Sequence, residues 1–467
     1  MPFFKKYSNV FAIILSVICY FFFAYYIERT QFYTVSFLWF SLFGFFYLLV
    51  KNNNSSFTTL VVIALLFRLI FLFATPNLSQ DFYRFIWDGR MLLNGVNPYL
   101  SLPETFVQQN LQPIAETAAL YNGMGELNGS HYTNYPPLNQ LCFFIAALFA
   151  GKSIFGSVLV LRSIIILADI GILYFGKKLL ERLNLPIKNI FWYFLNPFII
   201  IEMTGNLHFE PVMLFFLVWA VNKLHQQKWI FAAILIACSV SVKLIPLLFL
   251  PLFFQWFVNR NDLKPDKKLQ IQNEHTSFKN LALKFAKLSL FYLIILTCTL
   301  LLFLPFYSSE LIANYSNSIG LWFGNFEFNA SFYYIFRAIG YAFRGYNEIA
   351  FIGKITPVLT VLFLLYLSFF KQNKTITQLM TAMLFGLSFY YFTATTVHPW
   401  YLATPLILCV FTKYKFPVVW SLVIILTYQA YANNPWQENL WFVFIEYLIV
   451  FSFLIFEVFQ QLKVKKM

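Results

Sequence analysis

Charge is what this chain lacks. Only 11% of its 467 residues are Asp, Glu, Lys or Arg, while 60% are hydrophobic and 21% aromatic. An ordinary soluble domain carries roughly 25% charged residues, so a water-soluble globular enzyme is excluded. Cysteine is sparse as well. Cys19, Cys142, Cys238, Cys298 and Cys409 all fall inside apolar runs without paired spacing, so neither a disulfide framework nor a zinc site is expected. The sequence shows no internal repeat. The basic-then-apolar stretch from Lys5 to Ile27 starts like a signal peptide, but no small-residue cleavage site follows it, and it reads as a retained first helix.

What the chain has in abundance is apolar length. Runs of about 17 to 22 residues recur, each long enough to cross a hydrocarbon core of roughly 30 Å as a helix. Candidate spans are 9–27, 32–50, 57–74, 157–176, 190–205, 207–222, 229–242, 244–257, 288–306, 350–370, 376–395, 401–413, 416–431 and 440–460. The expected fold is therefore an all-α polytopic membrane protein of about 13 to 14 transmembrane helices, a single domain over 1–467. The net charge of +14 is concentrated in short loops: Lys5, Lys6, Lys51, Lys177 to Lys188, Lys223, Lys228, Arg260 to Lys287, Lys371, Lys374, Lys413, Lys415 and the tail from Lys463. That alternation is the positive-inside pattern and not a nucleic-acid footprint, since no basic face is interleaved with stacking aromatics outside the spans. With both termini inside, segment 136–151 does not fit as a full span, because it would put Lys177 to Lys188 outside. It reads as a half-inserted or re-entrant helix.

Two connections then face outward and are too long for simple turns. The first, 75–134, carries Asp81, Asp88, Glu104, Glu116 and Glu126 against only Arg84 and Arg90. The second, 308–347, holds Asn325, Glu327, Asn329 and a cluster of Tyr and Phe. The basic stretch 259–287 reads as a cytoplasmic loop with a short amphipathic helix.

The first outer connection opens SQDFYRFIWDGRMLLNGVNPY, Ser79 to Tyr99. Ser79 as a cap and Gly95 with Asn97-Pro98 as a stop predict a helix over about 80–94. Phe82, Phe85, Ile86 and Leu93 share one face, and Asp81, Arg84 and Asp88 another. The helix is expected to lie on the membrane surface, apolar face down. The polar stripe reads either as a solvated ion-pair row worth a few tenths of a kcal/mol or as a carboxylate poised at the membrane surface as a general base.

Further polar residues sit where they are costly, since an ionised side chain at mid-membrane costs roughly 2.5 to 3.5 kcal/mol. Arg162 and Asp169 lie on one helix face and either neutralise each other or meet a neighbouring helix. Arg68 and Lys243 pose the same question from two other spans, and a lipid-linked phosphate is the obvious anion to place beside such cations. Between Phe191 and Asn222, Glu202, Gly205, Asn206, His208 and Glu210 form a polar knot at the junction of two short spans. It reads as a capped hairpin or as a binding or catalytic centre; one His with scattered carboxylates is too sparse for a metal site. HPWY, His398 to Tyr401, closes a span's outer end, as an aromatic-belt anchor would.

Taken in order, DFYRFIWDGRMLLNGVNPY, NYPPLNQ from Asn134 to Gln140, the Arg162 to Asp169 span, FLNPFIIIEMTGNLHFEP, SVKLIPLLFLP from Ser241 to Pro251 and HPWY resemble the lipid-phosphate-sugar-dependent glycosyltransferases of the GT-C class. The resemblance points above all to bacterial polyprenyl-phosphate-mannose-dependent mannosyltransferases and, more remotely, to the first mannosyltransferase of GPI-anchor assembly. It covers about 68–257 well and the C-terminal third only at HPWY. Two extra N-terminal helices precede the matched loop, and Glu210 stands where related sequences often carry Asp.

The resemblance implies a bacterial inner-membrane enzyme, without cofactor, that moves a hexose, here mannose, from a polyprenyl-phosphate donor to a lipid or glycan acceptor on the outer face with inversion. The family's acidic position falls on Asp81, the candidate base, with Arg84 and Asp88 as its orienting neighbours. Arg162, His208, Lys243 and His398 are the phosphate-side candidates, and Tyr135, Asn206, Glu210 and Trp400 the acceptor- or sugar-side ones. The alternative from another class is a transporter or flippase of a lipid-linked sugar, which would more readily show repeats and matched broken helices. A catalytically silent scaffold is a third reading.

Overall fold

The computed structural model describes residues 2–51, 55–259, 278–324 and 326–466. Apart from one isolated bridge between Phe328 and Thr396, the regular structure among them is helical, so the all-α membrane architecture holds. Among the described residues, Phe32–Lys51, Ile154–Arg182, Asn280–Phe306, Ile349–Phe370 and Leu440–Lys463 are long and apolar enough to cross a bilayer, and the pair Ile199–Gly205 and Glu210–His225, bent by 112°, is either a broken span or a re-entrant loop. Other expected spans are shorter apolar helices such as Phe57–Ile70, Trp229–Val240 and Pro399–Val410.

The shortening has local causes. Pro246 and Pro251 hold Ile245–Phe253 in a 3₁₀ run, because proline cannot donate to an α-helical ladder. The expected span 190–205 is interrupted at Asn196-Pro197. Asn196 there accepts from the Phe198 N–H at 2.9 Å and donates to Ser421 at 3.1 Å, after which Ile199–Gly205 winds as a π-helix. Half of the Ile154–Arg182 window is buried but only 17% of the Asn280–Phe306 window, so the first runs through the centre of the bundle and the second lies at its rim.

The helix expected at 80–94 forms as Asp81–Leu93. The reading of its polar stripe as a solvated ion-pair row is corrected: Arg84 is 2% exposed and Asp88 fully buried. Helix Thr117–Gly129 covers it from one side and Pro137–Ala150 from another. The second approach is close, since a Cβ on Gly89 would stand 2.2 Å from the Phe143 carbonyl oxygen, and Phe85 stacks on Phe143 at 4.7 Å. Pro137–Ala150 has 14 residues, about 21 Å of helix, short of a full crossing. Of the basic stretch 259–287, residues 260–277 lie outside the described residues, as does Asn325; from Phe278 the chain is one helix to Phe303.

Candidate functional site

Three of the membrane-depth cations find partners within the protein. Arg68 pairs with Asp169 at 2.9 Å, and Tyr193 donates its hydroxyl to the same carboxylate at 3.2 Å. The reading of Arg68 as a cation awaiting an external anion is therefore corrected, and Asp169 answers to a neighbouring helix. Arg162 is fully buried and donates to four carbonyls, those of Thr204 (2.9 Å), Gly205 (2.9 Å), Leu72 (3.0 Å) and Ala74 (2.5 Å). These carbonyls sit at and just beyond the ends of two helices, where backbone acceptors lack an intrahelical partner and no lipid can supply one. Arg162 therefore staples a break in the bundle and does not line the cavity described below. Lys243 is bonded to the Glu210 carboxylate, so the carboxylate missing from its neighbourhood in sequence is supplied by the fold.

The break that Arg162 staples is what aims the polar knot. Between the two halves of the bent pair, Leu207 takes φ +64°, a left-handed backbone that costs a bulky residue of order 1–3 kcal/mol. The turn faces His208 into a cavity of about 800 Å³, within the range that holds small ligands. Asn206 points the other way: it accepts from the Leu78 N–H and donates to Glu202, each at 3.3 Å, while Tyr428 donates to Glu202. Asn206 is thus part of the wall's support, outside the cavity lining, as is Glu210.

Asp81, Tyr135, His208, Lys243, His398 and Trp400 do line the cavity together. Trp400 is sandwiched between the rings of His208 and His398, at 4.0 and 4.4 Å, joining segments about 190 residues apart. Tyr135 packs edge-on against Phe85 at 5.1 Å. Asp81 occupies the first turn of its helix, where the free N–H groups favour a carboxylate. Asn128 donates to it at 3.4 Å. Burial pushes the Asp81 carboxyl above its ordinary range; Lys243, the Asn128 bond and Arg29 pull it back, while Glu210 adds to the rise.

Arg84 and Asp88 stand one layer behind. They pair at 2.8 Å, Arg84 donates to the carbonyls of Asn128 and His131, and Gln140 donates to Asp88 at 2.9 Å. Neither reaches the cavity, so their link to Asp81 runs through Asn128.

The cavity has two characters. Near Asp81 and Lys243 it is polar; elsewhere Leu244, Ile245, Leu248, Pro357 and Val361 make an apolar wall. Sequence reasoning missed Arg29, which lines the cavity and donates to Gln80 at 3.0 Å. Its signal was available, because an arginine in the turn after the first span falls on the side that the basic loops avoid. Phe328, from the Tyr and Phe cluster of 308–347, also lines it, as do Tyr431 and Trp436, which nothing in the sequence marked. Among the described residues no three His, Cys, Asp or Glu side chains gather as a metal site would need, and all five cysteines are free thiols.

A family model described as α-(1→6)-mannopyranosyltransferase, N-terminal domain, matches residues 23–259, the half of the chain that contributes Arg29, Asp81, Asn128, His208 and Lys243. No individual curated protein matches the chain.

Proposed function

This chain belongs to the α-(1→6)-mannopyranosyltransferase family and is a multi-pass membrane mannosyltransferase; from that premise we propose that it moves mannose from a polyprenyl-phosphate donor to an acceptor hydroxyl on the outer face of a bacterial inner membrane, with Asp81 as general base. The observation that carries the reading is a single cavity that offers a carboxylate, a lysine and an apolar wall. An amphiphile whose headgroup is a sugar phosphate needs those three surfaces side by side.

The acceptor oxygen attacks the mannosyl C1 from the side opposite the phosphate. Its proton passes to the Asp81 carboxylate, the C1–O bond to phosphate breaks, and polyprenyl phosphate leaves with the electron pair. A phosphate monoester is a good leaving group, its second pKa being about 6, so the demand on the protein is a base on one side and positive charge on the other. Lys243, held by Glu210, supplies the charge that offsets the departing phosphate; His208 and His398, clamped on Trp400, line the same end. Arg84, Asp88 and Asn128 position the base. With inversion, the α linkage in the family's description requires a β-linked mannosyl phosphate.

The flippase reading is weaker on structural grounds. Its expected signature is a matched pair of broken helices, and the bent pair at Ile199–His225 has no second example among the described residues. The test is transfer from radiolabelled polyprenyl-phosphate mannose to an α-(1→6)-linked mannobiose by purified protein. Wild-type transfer that disappears in Asp81→Asn supports the reading, and wild-type protein that moves the lipid across vesicles without transferring sugar overturns it.

A further inference from the structure

One wall of the cavity carries a feature that neither the base nor the phosphate end explains. Residues 326–330, of which Phe326 and Phe328 line the cavity, run as a strap between helices Ser309–Gly324 and Phe332–Arg344. The strap is pinned on both sides. The Phe328 N–H donates to the Thr395 carbonyl at 3.1 Å, and the Val397 N–H donates to the Phe328 carbonyl at 2.8 Å. Asn329 donates its backbone N–H to Glu438 at 2.7 Å and its side chain to Glu446 at 3.1 Å, while Tyr447 donates to its carbonyl at 2.8 Å. Glu438 lies two residues past Trp436, so one hydrogen bond ties the strap to the loop that presents this tryptophan.

The result is a backed aromatic surface. Phe328, 1% exposed, lies 6.0 Å from Trp436 and 6.2 Å from Tyr431, and all three line the cavity. Trp436 itself is 47% exposed. The Arg29 guanidinium sits over the Tyr431 ring at 4.9 Å and reaches Gln80, the neighbour of Asp81, at 3.0 Å. The platform is thus one side chain from the carboxylate, on rigid supports and with a multi-donor cation at its edge.

We propose that Trp436, Tyr431 and Arg29, backed by Phe328, form the platform on which the terminal pyranose of a glycan acceptor lies. A pyranose presents an apolar C–H face that packs on an aromatic ring, and a rim of hydroxyls that takes hydrogen bonds from a guanidinium. A simple lipid alcohol has no use for either. An interfacial anchor is the competing role for an exposed tryptophan, but Trp436 packs on Phe328 and turns to the cavity, unlike Trp441, which is 72% exposed.

This assignment rests on the transfer reading for its direction, yet its test does not need turnover. Binding of α-(1→6)-mannotriose to the full-length protein in nanodiscs, without donor, is measured by saturation-transfer NMR and titration calorimetry. Trp436→Ala should weaken it about five- to tenfold, Trp436→Phe should restore most of it, and Arg29→Gln should weaken it too; the affinity for polyprenyl-phosphate mannose should stay at the wild-type value in both Trp436 variants. Mannotriose binding that is absent in the wild type, unchanged in Trp436→Ala, or lost together with donor binding overturns the platform. Wild-type protein that binds mannotriose but transfers nothing overturns the transfer reading and leaves the platform standing.

Discussion

Asp81 concentrates the chemical argument because it is the carboxylate on the cavity wall that is bonded to Asn128 and placed at a helix N-terminus. Asp81→Asn keeps the volume and removes the proton acceptor, so transfer should fall by about two to four orders of magnitude while the donor still binds. As the proposed base, Asp81 works only when ionised, and burial raises its pKa. Activity should therefore be lost as pH falls through a value above the ordinary carboxylate pKa of about 3.9, and a kcat/KM profile locates that limb. Asp88→Asn should cost much less, since Asp88 acts at two removes, through Arg84 and Asn128. Near-normal transfer in Asp81→Asn with none in Asp88→Asn would reverse the two roles. Lys243 needs a different design, because removing it also strands the buried Glu210 carboxylate. Lys243→Met should lose about 3–5 kcal/mol of stability together with donor affinity, whereas the double variant with Glu210→Gln should regain stability and not donor binding. Thermal melts and donor titrations separate the two, and a double variant that binds donor normally would leave Lys243 a structural role alone.

At the scale of elements, the site depends on how closely helix Asp81–Leu93 can approach Pro137–Ala150. Gly89 lets that happen, for an added methyl would press on the Phe143 carbonyl, a backbone atom that cannot swing aside. Gly89→Ala gains helix propensity worth about 1 kcal/mol, but overpacking should outweigh it with a penalty of about 1–3 kcal/mol. The net expectation is a lower melting temperature and a shift in the fluorescence of Trp87, which is buried on the same helix. A variant as stable as the wild type would show that the helices separate freely. The bent pair makes the opposite use of backbone, since Arg162 satisfies the carbonyls that the break exposes and the turn then carries His208 into the cavity.

For the whole molecule, the asymmetry of charge predicts the sides. Connection 75–134 is acidic and segment 259–287 basic, and basic loops resist translocation. In a protein stripped of its native cysteines, an impermeant thiol reagent applied to intact cells should label a cysteine near Glu116 and spare one near Lys268. The reverse pattern would invert the protein in the membrane and place Asp81 on the cytoplasmic side.

Local regularities were legible without a structure. Composition determined the membrane class, cap and stop residues the helix at Asp81–Leu93, and the order of motifs the family. These are properties of neighbouring residues, and a helix or a hydrophobic run is encoded within one window of chain. What each cation meets is not so encoded. Lys243 finds Glu210 33 residues away and Arg68 finds Asp169 101 away, so spacing along the chain left both as open charges. The division of several expected spans into shorter helices was hidden for a related reason: hydropathy registers apolar length but not where a proline, a π turn or a stapled break divides a run. Only packing decided that the Asp81 helix is buried, that two histidines sandwich Trp400, and that a strap from the second long connection backs Trp436 at the cavity. Those arrangements follow from distant segments competing for the same buried volume, and the tertiary structure is where that competition is settled.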